Sequence, residues 1–329
     1  MEYSTVGKTG IKVSNLCFGT MSFGGIADET ESLKMYHLCR EKGINFFDTA
    51  NVYNSGRSEE ILGKCIAESR DEVILTSKVG FPIGKGLNDR GASRRHIFQS
   101  VEKSLKRLGT DRIEFYFIHV YDYETDMEET LRALDDLQTD GKILYPAVSN
   151  WAAWQMMKAL GISERESLAR FELIQPMYSL VKRQAEVEII PFASEENLGV
   201  ITYSPLGGGL LTGKYANGVK PAQGRLVDQK NYEKRYGDNQ YHSIANQFVE
   251  FSHKNGYHPA TLAVRWAMNH SDVTAPIIGA RNCEQLKYSL DAVDLWMDSR
   301  LYEEVTAISE TPPLATDHSR EEDQFKAKR

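Results

Sequence analysis

The strongest constraint on the fold is a repeated alternation of short apolar runs with segments of helical period. Each run is nearly continuous in apolar character, as expected for a strand that is buried on both faces of a parallel sheet. Parallel neighbours need a long connection, usually a helix, between them. The eight runs are Asn15–Phe18, Ile44–Phe47, Val73–Thr76, Glu114–Ile118, Ile143–Val148, Glu172–Ile174, Val200–Tyr203 and Ala275–Ile278.

Nine segments place apolar residues at helical spacing. They are Glu31–Glu41, Ser58–Ser69, Arg94–Leu108, Glu128–Thr139, Ala152–Leu160, Ala185–Asn197, His242–Asn255, Pro259–Asn269 and Glu284–Val293. Because helices outnumber strands, at least one helix is an insertion. The Ser-Glu-Glu start of the second segment predicts an N-cap at Ser58. Two long connections, Gly80–Ala92 and Gly207–Gln240, are predicted to be irregular.

Together these elements predict an α/β fold, a (β/α)₈ TIM barrel with an N-terminal β-hairpin and extra helices. The hairpin strands are Tyr3–Val6 and Ile11–Val13, on either side of a glycine-bounded turn. We expect one barrel domain over residues 1–310 and a polar tail over 311–329. The rival fold, an open doubly wound sheet that binds a dinucleotide, usually has GxGxxG after its first strand. This chain has no GxGxxG.

Composition narrows the class of function. The formal net charge is −7, and broad nucleic-acid binding usually needs a basic surface. No segment has the roughly 18 apolar residues that indicate a membrane span, so we expect a cytoplasmic protein that binds neither nucleic acid nor membrane. The four cysteines form no CxxC pair and are expected to be reduced thiols, with no metal bound. They are Cys17, Cys39, Cys65 and Cys283.

Polar residues follow three consecutive apolar runs, at the points where the strands end. Asp48 follows the second run, Lys78 lies just beyond the third, and His119 follows the fourth. Tyr53 comes five residues after Asp48, in the next loop. Because active sites of such barrels lie at the carboxyl ends of the strands, we expect these four side chains to face one mouth.

This set of side chains is suited to reducing a carbonyl group. The reaction needs a hydride donor and a proton donor for the developing alkoxide, and Tyr53 is the candidate general acid. A lysine ammonium beside a phenol favours the phenolate and eases loss of the proton. Asp48 would hold Lys78 in place. A neutral His119 imidazole can donate one hydrogen bond to the carbonyl oxygen.

At these residues the chain resembles the aldo-keto reductases, and most of all their bacterial and channel-β-like branch. Asp48, Tyr53, Lys78 and His119 match that family's catalytic tetrad in order and spacing. The resemblance extends from Val6 to about Ser309. The motifs that carry it are Phe47-Asp48-Thr49-Ala50-Asn51-Val52-Tyr53, Glu59-Glu60-Ile61-Leu62-Gly63, Val148-Ser149-Asn150-Trp151, Tyr203-Ser204-Pro205-Leu206 and Ile278-Gly279-Ala280-Arg281.

The resemblance implies an NADP-dependent carbonyl reductase that uses NADPH. It implies that Ser149, Asn150 and Gln175 hold the nicotinamide carboxamide and that Tyr203 stacks on the ring. Arg281 and Gln285 would receive the adenosine end, with Arg281 meeting the 2′-phosphate. The remaining implied cofactor contacts are Gly19, Thr20, Met21, Asp48, Ser204, Pro205, Leu206, Gly208, Leu210, Lys214, Gly279, Ala280 and Ser289.

Two departures from the family pattern concern the ligands. Relatives of this kind often have Glu-Asn where this chain has Tyr288-Ser289, which changes the expected adenine contacts. Val120, beside the expected substrate path, replaces a polar or aromatic residue of many relatives. The sequence names neither the carbonyl substrate nor the oligomeric state.

Two other functions stay open at this point. One is a nicotinamide-binding sensor that resembles potassium-channel β-subunits. The other is a barrel hydrolase or metal-dependent isomerase, which would need paired acids or a ligand cluster. The sequence has neither HxH nor HExxH.

Overall fold

The computed structural model describes residues 1–314; residues 315–329, most of the predicted polar tail, lie outside the described residues. Eight parallel strands close into a barrel in the order β10-β3-β4-β5-β6-β7-β8-β9, and a separate antiparallel hairpin, β1-β2, precedes them. The predicted (β/α)₈ barrel and its hairpin are therefore confirmed. The strands are β1 Tyr3–Thr5, β2 Lys12–Ser14, β3 Cys17–Gly19, β4 Phe46–Asp48, β5 Ile74–Val79, β6 Ile113–Ile118, β7 Ile143–Ser149, β8 Leu173–Gln175, β9 Gly199–Tyr203 and β10 Ala275–Ile278.

Helices surround the barrel and fill its longer connections. They are α1 Glu29–Glu41, α2 Arg57–Ile66, α3 Arg94–Leu108, α4 Met127–Thr139, α5 Ala153–Glu166, α6 Ile189–Glu195, α7 Arg225–Asp228, α8 Lys230–Tyr236, α9 Asn239–Lys254, α10 Pro259–Met268, α11 Cys283–Leu290 and α12 Ser299–Thr306. The expected surplus of helices is confirmed, since α7, α8 and α9 all lie between β9 and α10. No helix in residues 1–314 is long and apolar enough to cross a membrane.

The core has two layers. Most buried apolar residues lie between the strands and the outer helices. A smaller cluster fills the barrel interior and includes Phe46, Phe115 and Leu173 from the strands with Val6 and Val13 from the hairpin. The hairpin therefore closes the amino end of the barrel, and the carboxyl end is left for polar side chains.

Several predicted elements need correction. The segment Ala185–Asn197 is not one helix: a 3₁₀ turn at Gln184–Glu186 precedes the short α6. Ser58 is not an N-cap, because α2 begins at Arg57 after Gly56 in the left-handed region. The Ser58 hydroxyl instead donates to the carbonyl oxygen of Thr20 at 2.7 Å. The stretch 207–240 contains α7, α8 and two 3₁₀ turns rather than irregular chain.

Candidate active site

Neighbouring strands bring Asp48, Lys78 and His119 to the carboxyl end of the barrel. Asp48 ends β4 and pairs in register with Thr76 of β5, while Lys78 pairs with Phe117 of β6. His119 follows β6 directly, and its backbone N–H donates to the carbonyl oxygen of Val79 at 2.8 Å. The three predicted side chains therefore share one mouth.

A buried ion pair lies at the centre of this mouth. The Nζ atom of Lys78 is 2.6 Å from both carboxylate oxygens of Asp48 and 2.7 Å from the carbonyl oxygen of Thr49. Asp48 Oδ1 also accepts hydrogen bonds from Thr76 Oγ1 at 2.6 Å and Gln175 Nε2 at 2.9 Å. Burial lowers the pKa of Lys78, and the Asp48 carboxylate opposes that shift. Such dense hydrogen bonding is what allows a buried ion pair to persist.

Tyr53 begins a strained 3₁₀ turn after β4. The next two residues, Asn54 and Ser55, have left-handed φ values of 48° and 56°. The Asn54 amide donates to the carbonyl oxygens of Met21 and Phe23 at 3.0 and 2.7 Å, which fixes the turn against the loop after β3. Strain of this kind persists only where surrounding contacts hold it, and it concentrates at functional sites.

The Tyr53 hydroxyl accepts a long hydrogen bond from Lys78 Nζ at 3.4 Å. Burial raises the pKa of Tyr53 well above its ordinary value, and the Asp48 carboxylate raises it further. We expected Lys78 to favour the phenolate; in the folded protein burial and then the Asp48 carboxylate favour the neutral phenol. Tyr53 is therefore a protonated hydrogen-bond donor at neutral pH.

His119 lies on the other side of the same opening. Its ring centroid is 6.0 Å from that of Tyr53 and 4.6 Å from that of Phe81. Burial lowers the pKa of His119 well below its ordinary value, and the Lys78 cation lowers it further. The imidazole is therefore neutral at pH 7. Among the described residues its Nδ1 atom has no hydrogen-bond partner.

Four further predicted residues join this cluster from β7, β8 and β9. The Ser149 hydroxyl donates to the carbonyl oxygen of Gln175 at 2.8 Å. Asn150, at φ 59°, donates from Nδ2 to the carbonyl oxygen of His119 at 2.9 Å. The Tyr203 hydroxyl donates to Asn150 Oδ1 at 2.8 Å. Burial raises the pKa of Tyr203 to about 12.

The predicted residues on β3 and β10 lie beside one another. A Cβ atom on Gly279 would lie 3.3 Å from the carbonyl oxygen of Gly19, and one on Gly19 would lie 2.7 Å from Ile277 Cγ2. Thr20 is buried, and its hydroxyl donates to the carbonyl oxygen of Asp48 at 3.1 Å. Met21 is partly exposed, at 36%.

The loop after β9 begins with backbone that favours glycine. Ser204 has φ 64°, and Gly208 has φ 67° inside the 3₁₀ turn Gly207–Thr212. A Cβ atom on Gly208 would lie 3.0 Å from the ring of Tyr236. Pro205 and Leu210 are buried, and Leu206 is half-buried.

Cations collect where this loop meets β10. Burial lowers the pKa of Lys214, and the nearby guanidinium groups of Arg281 and Arg225 lower it further. Arg281 Nη2 is 3.5 Å from Asp228 Oδ2. Three cations beside one carboxylate form a donor set suited to phosphate groups. Arg225 was not among the residues predicted from the sequence, where its only signal was a basic residue directly after a glycine, as at Lys214.

Helix α11 contains two of the predicted cofactor-binding residues, and they differ in exposure to solvent. Asn282 caps this helix by accepting from the Gln285 backbone N–H at 3.0 Å. Gln285 is exposed, whereas Ser289 is buried at 2% exposure. The exposed neighbour Tyr288 stacks on His258 with ring centroids 3.7 Å apart and planes 2° apart.

An open cavity of about 480 Å³ adjoins Asn150, Gln175 and Tyr203. Within residues 1–314, no group of three or more His, Cys, Asp or Glu side chains is placed to hold a metal ion. The structure instead has two groups of polar side chains at the carboxyl end of the barrel. One is the buried group of Asp48, Tyr53, Lys78 and His119, and the other is the group of cations formed by Lys214, Arg225 and Arg281.

Comparison with known proteins agrees with this geometry. The sequence model of the Aldo/keto reductase family matches residues 15–310. An uncharacterized oxidoreductase of Bacillus subtilis is 37% identical over 92% of this chain and 94% of its own length. A probable voltage-gated potassium channel subunit beta of Arabidopsis thaliana is 35% identical, covering 90% and 92%.

A Schizosaccharomyces pombe protein whose name proposes an aryl-alcohol dehydrogenase is 33% identical over 89% of this chain and 91% of its own length. The family match spans the whole barrel, including every strand that contributes to the polar mouth. This chain belongs to the aldo/keto reductase family, and the oxidoreductase names among its relatives support an oxidoreductase.

Proposed function

We propose that this protein reduces aldehydes or ketones to alcohols with NADPH, with Tyr53 as the general acid. The observation that carries the proposal is the Lys78 ammonium, which lies 2.6 Å from Asp48 and 3.4 Å from the Tyr53 hydroxyl at one buried mouth. The bound nicotinamide would supply the hydride for the carbonyl carbon. The chain itself must then deliver one proton to the carbonyl oxygen.

Tyr53 is in the correct form to deliver that proton. Its raised pKa keeps the hydroxyl protonated at neutral pH. When the proton moves to the carbonyl oxygen, the Lys78 cation beside the hydroxyl stabilises the phenolate that is left. Asp48 keeps Lys78 directed at this position through two short contacts.

His119 would orient the carbonyl group rather than exchange a proton with it. The lowered pKa of His119 keeps the imidazole neutral, so one ring nitrogen carries a proton to donate. A donor held in a buried site stabilises charge that develops on the substrate oxygen. The Tyr53 and His119 rings pack edge to face with centroids 6.0 Å apart, so one carbonyl oxygen at this opening would approach both side chains.

The residues around the mouth fit a phosphorylated nicotinamide cofactor. Ser149, Asn150 and Gln175 would hold the carboxamide, and Tyr203 would stack on the nicotinamide ring. Lys214 and Arg281, with Arg225 added, supply the cations for the phosphates. Arg281 and Arg225 lower the pKa of Lys214 because the three positive charges repel one another. A bound phosphate would relieve this repulsion, which supports an anion at this position.

Arg281 would distinguish NADPH from NADH. A guanidinium can meet the 2′-phosphate with two parallel hydrogen bonds. Hydrogen bonds to charged groups contribute roughly 1.5–3 kcal/mol, which corresponds to about ten- to a hundredfold in affinity. We therefore expect Arg281→Ala to weaken NADPH by about that factor and NADH much less.

Turnover and binding by the purified protein test this function. Wild type should oxidise NADPH in the presence of aldehydes, and NADH more slowly. Dissociation constants of both cofactors, from nicotinamide fluorescence, should separate Arg281→Ala from the control Lys287→Ala, an exposed cation on α11. Equal losses for both cofactors, or a wild-type preference for NADH, would refute the role of Arg281.

A second candidate function is a nicotinamide-dependent sensor subunit. It is favoured by the plant relatives named as probable voltage-gated potassium channel subunits beta, at 35% and 34% identity. A sensor would bind NADPH yet show no turnover across aldehydes, ketones and sugar carbonyls. It would also retain a membrane-protein partner in a pull-down, whereas an enzyme would reduce aldehydes when purified without any partner.

A further inference from the structure

The first turn of α2 contains a fully buried carboxylate that plays no part in the proposed proton transfer. Glu59 forms an ion pair with Arg107 of α3, whose Nη2 and Nε atoms lie 2.6 and 2.7 Å from Glu59 Oε2. Charged groups are rarely buried unless they are paired, because taking them out of water is costly. The next residue, Glu60, is instead 45% exposed and pairs with Arg57 at 2.8 Å. Two adjacent acids of the same charge therefore lie in different environments.

The other carboxylate oxygen of Glu59 binds the strand that carries Lys78. The Ser77 hydroxyl donates to Glu59 Oε1 at 2.5 Å in a buried contact. Ser77 and Lys78 are neighbours in β5, and successive side chains of a strand point to opposite faces. Lys78 points into the barrel, where it binds Asp48, and Ser77 points to the helices, where it binds Glu59. Polar contacts therefore hold the carboxyl end of β5 on both faces.

The residue before Glu59 fixes two neighbouring loops. The Ser58 hydroxyl donates to the carbonyl oxygen of Thr20 at 2.7 Å and lies 3.0 Å from Thr49 Oγ1. The carbonyl oxygen of Thr49 in turn accepts a hydrogen bond from Lys78 Nζ at 2.7 Å. The first turn of α2 therefore contacts β5 and the loops after β3 and β4. Lys78 belongs to one of these segments and is hydrogen-bonded to another.

The Glu59 carboxylate also acts on the charge of Lys78. Burial lowers the pKa of Lys78, whereas Asp48 and, more weakly, Glu59 raise it. Because Glu59 is fully buried, salt in the solvent screens its field only weakly. The other titratable groups around Lys78 are Cys17, Tyr53 and His119.

We propose that Glu59 is a positioning residue for Lys78, because it fixes β5 through Ser77 and places a negative charge on the helix side of the Lys78 ammonium. Arg107 holds the carboxylate in this position. Glu59 is not a catalytic residue, since it lies on the helix side of β5, away from the mouth. Its effect on turnover rests on the proposed carbonyl reduction, whereas its effect on Lys78 does not.

Glu59→Gln tests this role, because glutamine has the same shape and no charge. We expect kcat for aldehyde reduction to fall about ten- to a hundredfold, since a small displacement of a catalytic group is costly. The dissociation constant of NADPH should change little. The alkaline limb of the kcat profile should move to lower pH, because Lys78 loses its proton more readily without the carboxylate. A structural role alone would lower kcat at every pH and leave the limb in place.

Two further variants separate the contact from the charge. Ser77→Ala removes the hydroxyl but keeps Glu59 paired with Arg107, so it should lower kcat by less and leave the alkaline limb in place. It also decides the role of the contact if Glu59→Gln fails to fold. Glu60→Gln, the control, removes an equal charge from the exposed neighbour and should change neither quantity. A wild-type kcat in both Glu59→Gln and Ser77→Ala, or an equal shift of the limb in Glu59→Gln and Glu60→Gln, would overturn the proposal.

Titration of Lys78 by NMR separates this proposal from the proposed function. The protein is labelled with lysine enriched at Cε and studied without cofactor or substrate, and the signal that is absent from Lys78→Arg identifies Lys78. Its titration midpoint should lie at lower pH in Glu59→Gln than in wild type or Glu60→Gln, even if wild type reduces no aldehyde. Equal midpoints in all three proteins contradict the role of the carboxylate, even if wild type reduces every aldehyde.

Discussion

At its amino end the barrel is filled by apolar side chains, whereas at its carboxyl end it buries an ion pair, an imidazole and a phenol. Val6, Val13, Phe46 and Leu173 are fully buried at or near the amino end. Lys78 is as fully buried at the carboxyl end, with 0% of its side chain exposed. Side chains are therefore equally buried in the two regions, but they are apolar in one and polar or charged in the other.

The energetic signs of the two regions are opposite. Apolar burial stabilises by about 25 cal/mol per Å² of surface removed from water. A buried ion pair costs desolvation that its Coulomb attraction repays only with good geometry, so it is weak evidence for stability. We infer that the hairpin end stabilises the fold and that the polar mouth is kept for chemistry, as in barrels generally.

The largest effect should come from removing one oxygen atom at the carboxyl end. Tyr53→Phe should lower kcat about 10²–10⁴-fold, the usual contribution of a general acid. The fold and the NADPH dissociation constant should change little, because the hydroxyl makes only a 3.4 Å contact with Lys78. Steady-state kinetics and thermal unfolding measure both quantities. A kcat near that of wild type would contradict the role of Tyr53.

The ion pair should show a stability effect that depends on its partner. Lys78→Met leaves the Asp48 carboxylate buried without its cation, so the free energy of unfolding should fall by about 3–5 kcal/mol. Adding Asp48→Asn should recover most of this loss, since no buried charge then remains. Both the single and the double variant should be inactive, because both lack the Lys78 ammonium. Urea unfolding of both proteins measures this difference. Equal stability of the single and double variants would show that the Asp48 carboxylate does not destabilise the fold when Lys78 is removed.

The amino end should respond in stability alone. Leu173→Ala should reduce the free energy of unfolding by about 2–5 kcal/mol, as other large-to-small core substitutions do. Because Leu173 opens β8 at the end opposite the mouth, kcat should stay at the wild-type value where the variant is folded. A loss of kcat in the folded variant would mean that the two ends are coupled.

Much of the barrel could be predicted because its strands obey one rule. Each buried strand is a short apolar run, and the eight runs overlap the eight barrel strands. The predicted strand bounds are wrong mainly at the carboxyl ends of strands. Asp48 belongs to β4 and Lys78 to β5, although both apolar runs stop before these residues. Backbone pairing continues through these polar residues, and hydropathy does not detect pairing.

The connections were harder to predict because tertiary contacts decide them. Ser58 has the residue type of an N-cap, but its hydroxyl is used by the loop after β3. The short helices α7 and α8 have few buried residues of their own and pack against the 3₁₀ turn Gly207–Thr212. Arg225 was missed for the same reason, since only the folded loop brings it near Lys214.

Stability against acid offers a finer distinction between the two ends. Burial, and then the Lys78 cation, hold the pKa of His119 well below its ordinary value in the folded protein. In the unfolded chain the imidazole should titrate near about 6.5. Below that pH the unfolded chain binds a proton that the folded protein does not. The contribution of His119 is therefore fully favourable above about pH 6.5 and is lost as the pH falls.

We expect His119→Gln to remove this dependence. The difference in free energy of unfolding between wild type and the variant should be constant above neutrality and should then change by at most about 1.4 kcal/mol per pH unit below about pH 6.5, with wild type losing more. Burial also lowers the pKa of His96, His258 and His270, but both proteins contain them, so their effects cancel. Urea unfolding over a pH series measures the difference. Leu173→Ala should run parallel to wild type, because it changes no titratable group, and a constant difference for His119→Gln at all pH values would mean that the imidazole takes up its proton equally in both states.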